Sequence, residues 1–403
     1  MFRISQYLRE LAQAQATGHW PAVRERAARG PVVIWNLIRR CNLTCKHCYA
    51  LSADHDYAGE LSLQEVFAVM DDLKAFGVPA LILSGGEPLL RPDLFEIAAR
   101  ARQLGFYTGL STNGTLIDAP MAGRIARAGF DYVGISLDGL RATHDRFRRL
   151  DGAFDRSLAA IGHLGAVGVK VGLRYTMTAL NAHDLPALLA LMREVGAHKF
   201  YFSHLNYAGR GNIHRDQDAQ HQATRAAMQL LFDHAWAAAQ AGSLDDYVSG
   251  NNDADGPFLL QWTRQHLPRW EDALRQRLVA WGGNASGQMV ANIDNLGHVH
   301  PDTMWWHHDL GSVRARPFSQ IWNDTGDALM AGLKARPRPV QGRCAGCRHL
   351  AICNGNTRVR AQQLTGNPWF EDPGCYLRDD EVGAASTPLP PARRQRRIEV
   401  THA

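Results

Sequence analysis

Three cysteines in the spacing C-x3-C-x2-C constrain this chain more than any other feature. Cys41, Cys45 and Cys48 follow a short apolar run at residues 32–35. Three thiolates are one fewer than a closed tetrahedral zinc site or a fully ligated four-iron cluster requires. A four-iron cube held by these cysteines would leave one iron open to a ligand from solution. We therefore expect an iron–sulfur site with an open position; a zinc knuckle short of one ligand and chance clustering are the alternatives.

The length and composition are typical of a globular protein with one large domain and one smaller one. The chain has 403 residues, of which 45% are hydrophobic and 21% charged. No long apolar run indicates a membrane span, and residues 1–20 lack the apolar core of a signal peptide. We therefore expect a cytoplasmic protein without a membrane partner. The net charge of +5 includes a cluster of arginines in a proline-rich tail and does not predict nucleic-acid binding.

Strand-like runs alternate with amphipathic helical patterns over the first half of the chain. Helices are expected at residues 63–73, 91–104, 121–128, 154–165 and 185–195, the first one capped by Ser62 and Glu65. Strands are expected at Val32–Leu37, Ala80–Leu83, Tyr107–Ser111, Tyr132–Leu137, Lys170–Thr176 and Lys199–His204. This alternation implies a parallel sheet with right-handed crossovers, and six units are too few to close an eight-stranded barrel. The predicted fold is α/β, an open, partial (β/α)6 TIM-type barrel with its chemistry at the carboxyl ends of the strands.

The rest of the chain predicts the domain organisation. Residues 206–286 have helical character without clear strands, and His214–Asp218 and Ser243–Gly256 have the composition of exposed loops. The expected units are a helical extension at 1–28, the partial barrel at 29–215, a helical bridge at 216–286, a cysteine-rich domain at 287–380 and a disordered basic tail at 381–403.

Polar or glycine-rich segments follow four of the predicted strands. The cysteine triplet follows the first, Ser84–Pro88 the second, Ser111–Gly114 the third and Ser136–Gly139 the fourth. The Gly85-Gly86 pair leaves a backbone that a ligand can approach closely, since neither residue has a Cβ. Glu87 supplies a carboxylate and Pro88 restricts the turn. These strand ends predict a ligand site at one rim of the barrel, although a plain strand-to-helix turn is the alternative for Gly85–Pro88.

The triplet, with His47 directly before Cys48, resembles the cluster motif of the radical S-adenosylmethionine (SAM) superfamily. That resemblance implies a [4Fe-4S] cluster at Cys41, Cys45 and Cys48, the catalytic centre, whose open iron binds SAM. It also implies an electron-driven cleavage of SAM to a 5′-deoxyadenosyl radical that abstracts hydrogen from a substrate. In such enzymes the protein supplies orientation and excludes water.

Further positions match the same family. Gly85-Gly86-Glu87-Pro88 resembles its GGEP element, which holds the amino group of SAM. The resemblance places Asn113 near the nucleoside and Ser136 in contact with SAM. Arg148 is similar to the arginine that pairs with the SAM carboxylate, a role suited to a planar guanidinium. A surface ion pair is the alternative for Arg148.

A second cysteine group lies near the C-terminus, with the spacing C-x2-C-x5-C-x21-C, and consists of Cys344, Cys347, Cys353 and Cys375. Four thiolates can close either a zinc site or an iron–sulfur site, and the spacing does not separate the two. The resemblance implies a SPASM or twitch domain, introduced by a β-hairpin that residues 292–302 fit. Where that family usually has a further cysteine, this chain has Asp302. We therefore expect one auxiliary [4Fe-4S] cluster, with Asp302 as the first substitute ligand.

Several stretches resemble the branch of this family that modifies tetrapyrroles, namely residues 35–41, 203–212, 301–308 and 354–360. That resemblance implies a role in heme d1 biosynthesis, with radical removal of propionate side chains from 12,18-didecarboxysiroheme. The auxiliary cluster would accept the remaining electron. The implied partners are this tetrapyrrole, a low-potential electron donor such as flavodoxin or ferredoxin, and neighbouring enzymes of the heme d1 pathway.

Aromatic and histidine residues leave two readings open. Trp305 and Trp306 are suited to stacking on a macrocycle, with core packing as the alternative. Four histidines are candidate ligands of a substrate iron, with hydrogen-bonded structural roles as the alternative: His204, His300, His307 and His308.

Two other functions of the protein stay open. One is a SPASM enzyme acting on a peptide or another heme precursor, and the other is a non-catalytic iron–sulfur electron carrier, which would have no use for a SAM-binding motif.

Overall fold

A nine-stranded sheet forms the centre of the protein. The structure is a computed structural model that describes residues 1–21 and 30–385. The strands are β1 (Val32–Asn36), β2 (Ala80–Ser84), β3 (Tyr107–Thr112), β4 (Tyr132–Ser136), β5 (Val171–Met177), β6 (Lys199–His204), β7 (Asp246–Gly250), β8 (Val290–Ile293) and β9 (Val299–His300). Their order is β7-β6-β5-β4-β3-β2-β1-β8-β9. Strands β1 to β8 are parallel to their neighbours, and only β9 runs antiparallel.

The helices are α1 (Ile4–Thr17), α2 (Leu63–Ala75), α3 (Leu94–Gln103), α4 (Ala119–Ala128), α5 (Arg141–Arg148), α6 (Ala153–Ala166), α7 (Leu185–Glu194), α8 (Arg210–Ile213), α9 (His221–Gln240), α10 (Asp255–His266), α11 (Glu271–Trp281), α12 (Phe318–Asn323), α13 (Ala328–Lys334), α14 (Leu350–Cys353), α15 (Arg358–Thr365) and α16 (Asp379–Val382). Of the helices, α2 to α11 lie between successive parallel strands, α1 precedes β1, and α12 to α16 follow β9. Ser62 and Glu65 form the predicted capping box at the start of α2.

The six predicted strands are confirmed, each to within one residue at either end. Because β1 to β6 are parallel and sequential, the predicted partial barrel is confirmed as well. The predicted hairpin at residues 292–302 is present as the antiparallel pair β8–β9. Strand β8 also pairs with β1, which extends the sheet beyond the barrel strands.

The prediction that residues 206–286 lack strands is wrong. Strand β7 lies there and pairs with β6, and most of Ser243–Gly256 is therefore buried rather than an exposed loop. Asp246 forms an ion pair with Lys199 of β6 at 3.4 Å, and Tyr247 packs in the main core. Short, polar strands depend on such tertiary partners, which a local pattern does not show. The segment His214–Asp218 is also half-buried, and Asp218 accepts a hydrogen bond from Tyr207.

Side chains alternate between the two faces of the barrel sheet. On β4 and β5, Val133, Ile135, Leu173 and Tyr175 belong to the main hydrophobic core between strands and helices. The intervening residues, among them Ser136 and Arg174, face the interior of the barrel. This alternation determines which side chains can meet a ligand held by the barrel.

The C-terminal part of the chain consists of short helices around a second, smaller core. Trp305, Leu329, Leu333 and Val359 form that core. The domain boundaries expected at residues 29, 216, 287 and 381 stay a prediction. The predicted disordered tail is wrong at its start, because residues 381 and 382 belong to α16; the tail from residue 386 on and the end of the N-terminal extension lie outside the described residues. Among the helices that are described, none is long and apolar enough to cross a membrane.

Candidate functional site

The cysteine triplet lies on the loop that follows β1. Cys41 and Cys45 are buried and Cys48 is half-buried, and all three are free thiols. Burial, together with the nearby Glu87 carboxylate, raises the pKa of the Cys41 thiol. Without a cation beside it, this loop therefore favours the protonated thiol, whereas a bound iron ion would stabilise the thiolate.

The glycine pair after β2 packs against this loop. The backbone N–H of Gly86 donates to the carbonyl of Ile38 at 2.6 Å, and that of Glu87 donates to the carbonyl of Arg40 at 2.9 Å. A Cβ added at Gly86 would overlap the carbonyl oxygens of Arg39 and Arg40. The sequence predicted that a ligand approaches the backbone of Gly85-Gly86 closely. In the structure, the backbone of residues 38–40 makes this approach, and the contact fixes the segment that leads into Cys41.

Glu87 is fully buried and joins two strand ends. Its carboxylate accepts hydrogen bonds from Thr112 Oγ1 at 2.7 Å, from the backbone N–H of Asn113 at 2.9 Å and from that of Leu89 at 3.1 Å. Burial raises the pKa of Glu87 to about 6 despite these donors. The carboxylate therefore organises the turn at Pro88 and the neighbouring end of β3, next to the place predicted for SAM.

Asn113 lies beside the triplet, and its place near the nucleoside stays a prediction. Its side-chain Nδ2 donates to Asn42 Oδ1 at 2.9 Å and lies 3.9 Å from Cys41 Sγ. Its Oδ1 accepts from the backbone N–H of Thr115 at 2.8 Å. The end of β3 is therefore tied to the cysteine loop through one amide side chain.

Arg148, at the end of α5, is buried against the triplet and is not a surface residue. Its guanidinium donates to Cys45 Sγ at 3.4 Å and forms a close ion pair with Asp138. Asp138 also accepts from the backbone N–H of Thr176 at 2.7 Å. The Nε of Arg148 is buried without a hydrogen-bond partner. Such an unsatisfied donor fits a site that binds a further polar group.

His47 has a similar environment. Its ring stacks on Phe147 with 4.7 Å between ring centroids, and its Nε2 lies 3.9 Å from Asp138. Burial, only partly offset by that carboxylate, lowers the pKa of His47 to about 4, so the imidazole is neutral at pH 7. Its Nδ1 is buried and unpaired. Two buried polar atoms without partners, one on His47 in the triplet loop and one on Arg148 beside it, therefore fit a bound cofactor.

The four C-terminal cysteines surround one cavity. Cys344, Cys347, Cys353 and Cys375 line it, and no carboxylate is among its lining residues. Burial raises the pKa of all four thiols, that of Cys375 to about 11. Arg343 donates to Cys375 Sγ at 3.4 Å, and the backbone N–H of His349 donates to Cys347 Sγ at 3.4 Å. The ligand set predicted from the sequence is therefore brought together around one space, which these four thiols line and no carboxylate does.

Within residues 1–21 and 30–385, no three His, Cys, Asp or Glu side chains are arranged to hold a single metal ion. A zinc ion needs its sulfur ligands about 2.3 Å from one centre. A four-iron cluster spreads the same ligands over separate iron atoms, so that they lie farther apart. Four thiols that line one cavity without being grouped around a single point are compatible with a four-iron cluster.

The substitute ligand predicted at Asp302 lies elsewhere. Asp302 does not line the cysteine cavity, and its carboxylate accepts from Ser286 Oγ and from the backbone N–H of Met304. Burial raises the pKa of Asp302. Its hydrogen bonds give it a structural role at the end of the β8–β9 hairpin.

The two tryptophans have different environments. Trp305 is fully buried in the smaller core, which confirms the core-packing alternative for that residue. Trp306 is half-buried and meets the ring of Tyr49, the residue after Cys48, edge to face with 6.0 Å between centroids. Its indole Nε1 has no hydrogen-bond partner in the part of the chain that the structure describes. Trp306 is therefore the tryptophan placed near the triplet.

The histidines are mostly bound by the protein itself. His204 lies on the core face of β6, and its Nε2 is 3.1 Å from both carboxylate oxygens of Asp255. His300 contacts the carbonyl of His308 and the carboxylate of Asp294. His307 contacts Gln362, and His308 contacts Asp327. These contacts favour hydrogen-bonded roles over iron ligation.

Arg174 and Tyr201 are interior residues that sequence reasoning missed. They lie side by side on β5 and β6, with the Arg174 guanidinium 5.2 Å from the centroid of the Tyr201 ring. The signal was available, since Arg174 alternates with the apolar residues Leu173 and Tyr175 on a predicted barrel strand. Because the chain contains many arginines, this one did not stand out as a candidate site residue.

The barrel and the site at the ends of its strands define a class of protein. A family model described as "Radical SAM superfamily" matches residues 35–192, which span β1 to α7 and include the triplet. A relative from Dinoroseobacter shibae, described as "Pre-heme d1 synthase", is 52% identical over 96% of this chain and 95% of its own. The chain belongs to the radical SAM superfamily and is a radical SAM enzyme. Membership implies SAM and a [4Fe-4S] cluster as cofactors.

A second relative and one solved structure are also similar to this chain. "Fe-coproporphyrin III synthase" from Methanosarcina barkeri is 43% identical over 88% of this chain and 89% of its own. Among solved structures, Streptococcus suis SuiB bound to its precursor peptide SuiA superposes with a TM-score of 0.69 and 16% identity, covering 92% of this chain and 79% of SuiB. At that identity the superposition shows a shared fold, which confirms the predicted combination of a partial barrel with a SPASM/twitch-like C-terminal domain.

Proposed function

We propose that this enzyme acts in heme d1 biosynthesis and removes propionate side chains from 12,18-didecarboxysiroheme. The observation that carries the proposal is the 52% identity to a pre-heme d1 synthase over nearly the whole of both chains. Two further relatives at lower identity have names that refer to porphyrin or heme products. A common substrate class accounts for all three likenesses.

Cys41, Cys45 and Cys48 would hold the SAM-binding cluster in this proposal. When bound, the cluster and SAM together supply a 5′-deoxyadenosyl radical. The protein contributes a cradle made of Gly85 to Pro88, Asn113 and Ser136, and a buried cation at Arg148. Because Cys41 and Cys45 are buried, the folded chain also excludes water from the reacting centre.

Cys344, Cys347, Cys353 and Cys375 would hold one auxiliary [4Fe-4S] cluster. The support is the cavity lined by these four sulfur donors, without a carboxylate and without the arrangement that one zinc ion needs. Arg343 faces Cys375 and lowers the cost of negative charge on the sulfur ligands. We assign this second group the role of accepting the electron left on the substrate.

Iron counting tests both metal assignments. After anaerobic reconstitution, the wild-type chain should contain about eight irons, and a C41A/C45A/C48A variant about four. A C344A/C347A/C353A/C375A variant should also keep about four and should still cleave SAM. Stoichiometric zinc in the C-terminal site of the wild-type protein would contradict the auxiliary cluster.

A turnover assay tests the substrate. With reduced flavodoxin as donor, the enzyme should release 5′-deoxyadenosine, and the mass of 12,18-didecarboxysiroheme should fall by the mass of the lost side chains. Brisk SAM cleavage with an unchanged tetrapyrrole mass would contradict the substrate and leave the enzyme class intact. Iron binding without any SAM cleavage would favour the electron-carrier alternative.

Peptide modification is a second candidate. A PqqA peptide cyclase from Gluconobacter oxydans is 29% identical over 85% of this chain. The difference between 29% and 52% identity at similar coverage favours the tetrapyrrole. Turnover of a supplied precursor peptide, with no reaction on the tetrapyrrole, would reverse that preference.

A further inference from the structure

The interior of the barrel contains one arginine that the radical SAM site does not use. Arg174 lies in the middle of β5, between Leu173 and Tyr175, which point to the opposite face and pack in the main core. Its register partners are Ser136 on β4 and Tyr201 on β6. Arg174 is therefore level with the strand ends at which the SAM site is built.

The neighbouring strands make room for this side chain. A Cβ added at Gly134 of β4 would lie 2.8 Å from Arg174 Cδ, so a larger residue there would push the arginine aside. The guanidinium lies over the Tyr201 ring at 5.2 Å, a cation–π contact, and donates a hydrogen bond to Ser111 Oγ. These contacts hold the guanidinium in one place while leaving most of its donors unused.

Arg174 has no carboxylate partner among the described residues. The buried Arg148 and Arg360 pair with Asp138 and Asp372, whereas the buried Arg358 is held by backbone carbonyls. Arg174 differs from these arginines, because it is half-buried and its side chain donates to Ser111 Oγ. A guanidinium with unused N–H groups in the interior of the barrel is suited to bind an anion that enters from solution.

The charge also lies close to the reacting centre. Arg174 is within electrostatic reach of His47 and Tyr49, the two residues on either side of Cys48. The carboxylate of SAM already has a predicted partner in Arg148. The anion left for Arg174 is therefore one on the molecule that reacts with SAM.

We propose that Arg174 binds a carboxylate of the substrate and so positions a side chain of the tetrapyrrole beside the triplet. This inference rests on the proposed function, in which the substrate has propionate side chains. A guanidinium presents parallel N–H groups to a carboxylate, which fixes orientation as well as distance. Tyr201 below the guanidinium and Gly134 beside it serve to hold that geometry.

Binding measurements on the reconstituted enzyme test this role. The dissociation constants of SAM and of 12,18-didecarboxysiroheme should be measured for the wild type and for R174Q, R174K and R156Q. Arg156 is an exposed arginine on α6 and controls for the loss of one positive charge. We expect R174Q to weaken tetrapyrrole binding about ten- to hundred-fold, with SAM binding unchanged. R174K should lose less tetrapyrrole affinity than R174Q, and R156Q should bind the tetrapyrrole as tightly as the wild type.

A second comparison is made between two ligands of the same protein, so that the fraction of folded molecules affects both equally. The methyl ester of the same tetrapyrrole lacks the carboxylate charges, so it should bind the wild type more weakly than the free acid. In R174Q the difference between acid and ester should be smaller. An unchanged preference for the acid in R174Q would overturn the inference, and so would a loss of SAM binding with normal tetrapyrrole binding. If the wild type binds neither tetrapyrrole, the proposed function itself fails.

Discussion

Tyr376 donates a hydrogen bond of 2.7 Å to the carboxylate of Asp255, and it directly follows Cys375 in the sequence. Asp255 is fully buried at the start of α10 and also meets His204 at the end of β6 and Ser249 of β7. One carboxylate therefore connects two barrel strands to the last cysteine of the C-terminal group. Positioning of the auxiliary cavity relative to the barrel depends on this buried group.

Replacing Tyr376 by phenylalanine should destabilise the protein by about 1–3 kcal/mol, because a buried carboxylate loses one of its donors. Unfolding in urea would measure the effect. Tyr107 is half-exposed on β3, and Y107F serves as the matched control with the same lost hydroxyl. Equal stability of Y376F and Y107F would show that Asp255 does not need this bond.

Glu87 should give the cofactor-free protein a pH-dependent stability. Burial raises the pKa of Glu87 from its ordinary value of 4.5 to about 6. Between these values the folded chain holds a proton that the unfolded chain has lost, so this contribution is present below pH 4.5 and disappears as the pH rises through 6. The unfolding free energy of the wild type, relative to E87Q, should fall by about 2 kcal/mol between pH 4 and pH 7.

The control for this measurement is E96Q, at an exposed position of α3. Its stability should follow that of the wild type over the whole range. Parallel curves for the wild type and E87Q would contradict the raised pKa. Loss of SAM binding in E87Q at pH 7 would in addition support the role of this turn in the cofactor site.

Breaking the buried ion pair Arg360–Asp372 should lower the free energy of unfolding far more than breaking an ion pair on the surface. Arg360 donates two hydrogen bonds to Asp372, three residues before Cys375, and also binds backbone carbonyls of the barrel. R360M would leave a buried carboxylate unpaired and should cost about 3–5 kcal/mol. R264M breaks the exposed pair with Glu271 and should cost about 1 kcal/mol or less. Similar losses in the two variants would contradict this difference.

The neighbouring tryptophans should separate stability from binding. W305A empties a fully buried site and should cost about 3–5 kcal/mol of unfolding free energy. W306A removes a half-buried ring beside Tyr49 and should weaken tetrapyrrole binding while leaving most of the stability. Unfolding and tetrapyrrole titration of both variants would check this. Unchanged tetrapyrrole affinity in W306A would exclude stacking on the macrocycle.

The parts of the site that follow strand ends were predictable. Each predicted barrel strand is a run of apolar residues with turn signals at its end, so the positions of Cys41, Gly85, Asn113 and Ser136 along the rim followed from the strand order. The alternation along β5 likewise predicts which of its side chains face the interior of the barrel and which face the core. Strand β7 was not, because Asp246 and Ser249 interrupt its apolar pattern and their partners, Lys199 and Phe2, are distant in sequence.

By itself, the sequence determined the class of chemistry, because the cysteine triplet and the turn after β2 are short motifs that can be recognised without knowing the fold. Only the tertiary structure decided how the rest is used. It showed that Glu87 joins two strand ends and that Trp305 lies in a core whereas Trp306 lies beside the triplet. It also showed that Arg174 has no carboxylate partner within residues 1–21 and 30–385. Each of these properties depends on contacts between residues that are far apart in the sequence, so a local sequence pattern does not predict them.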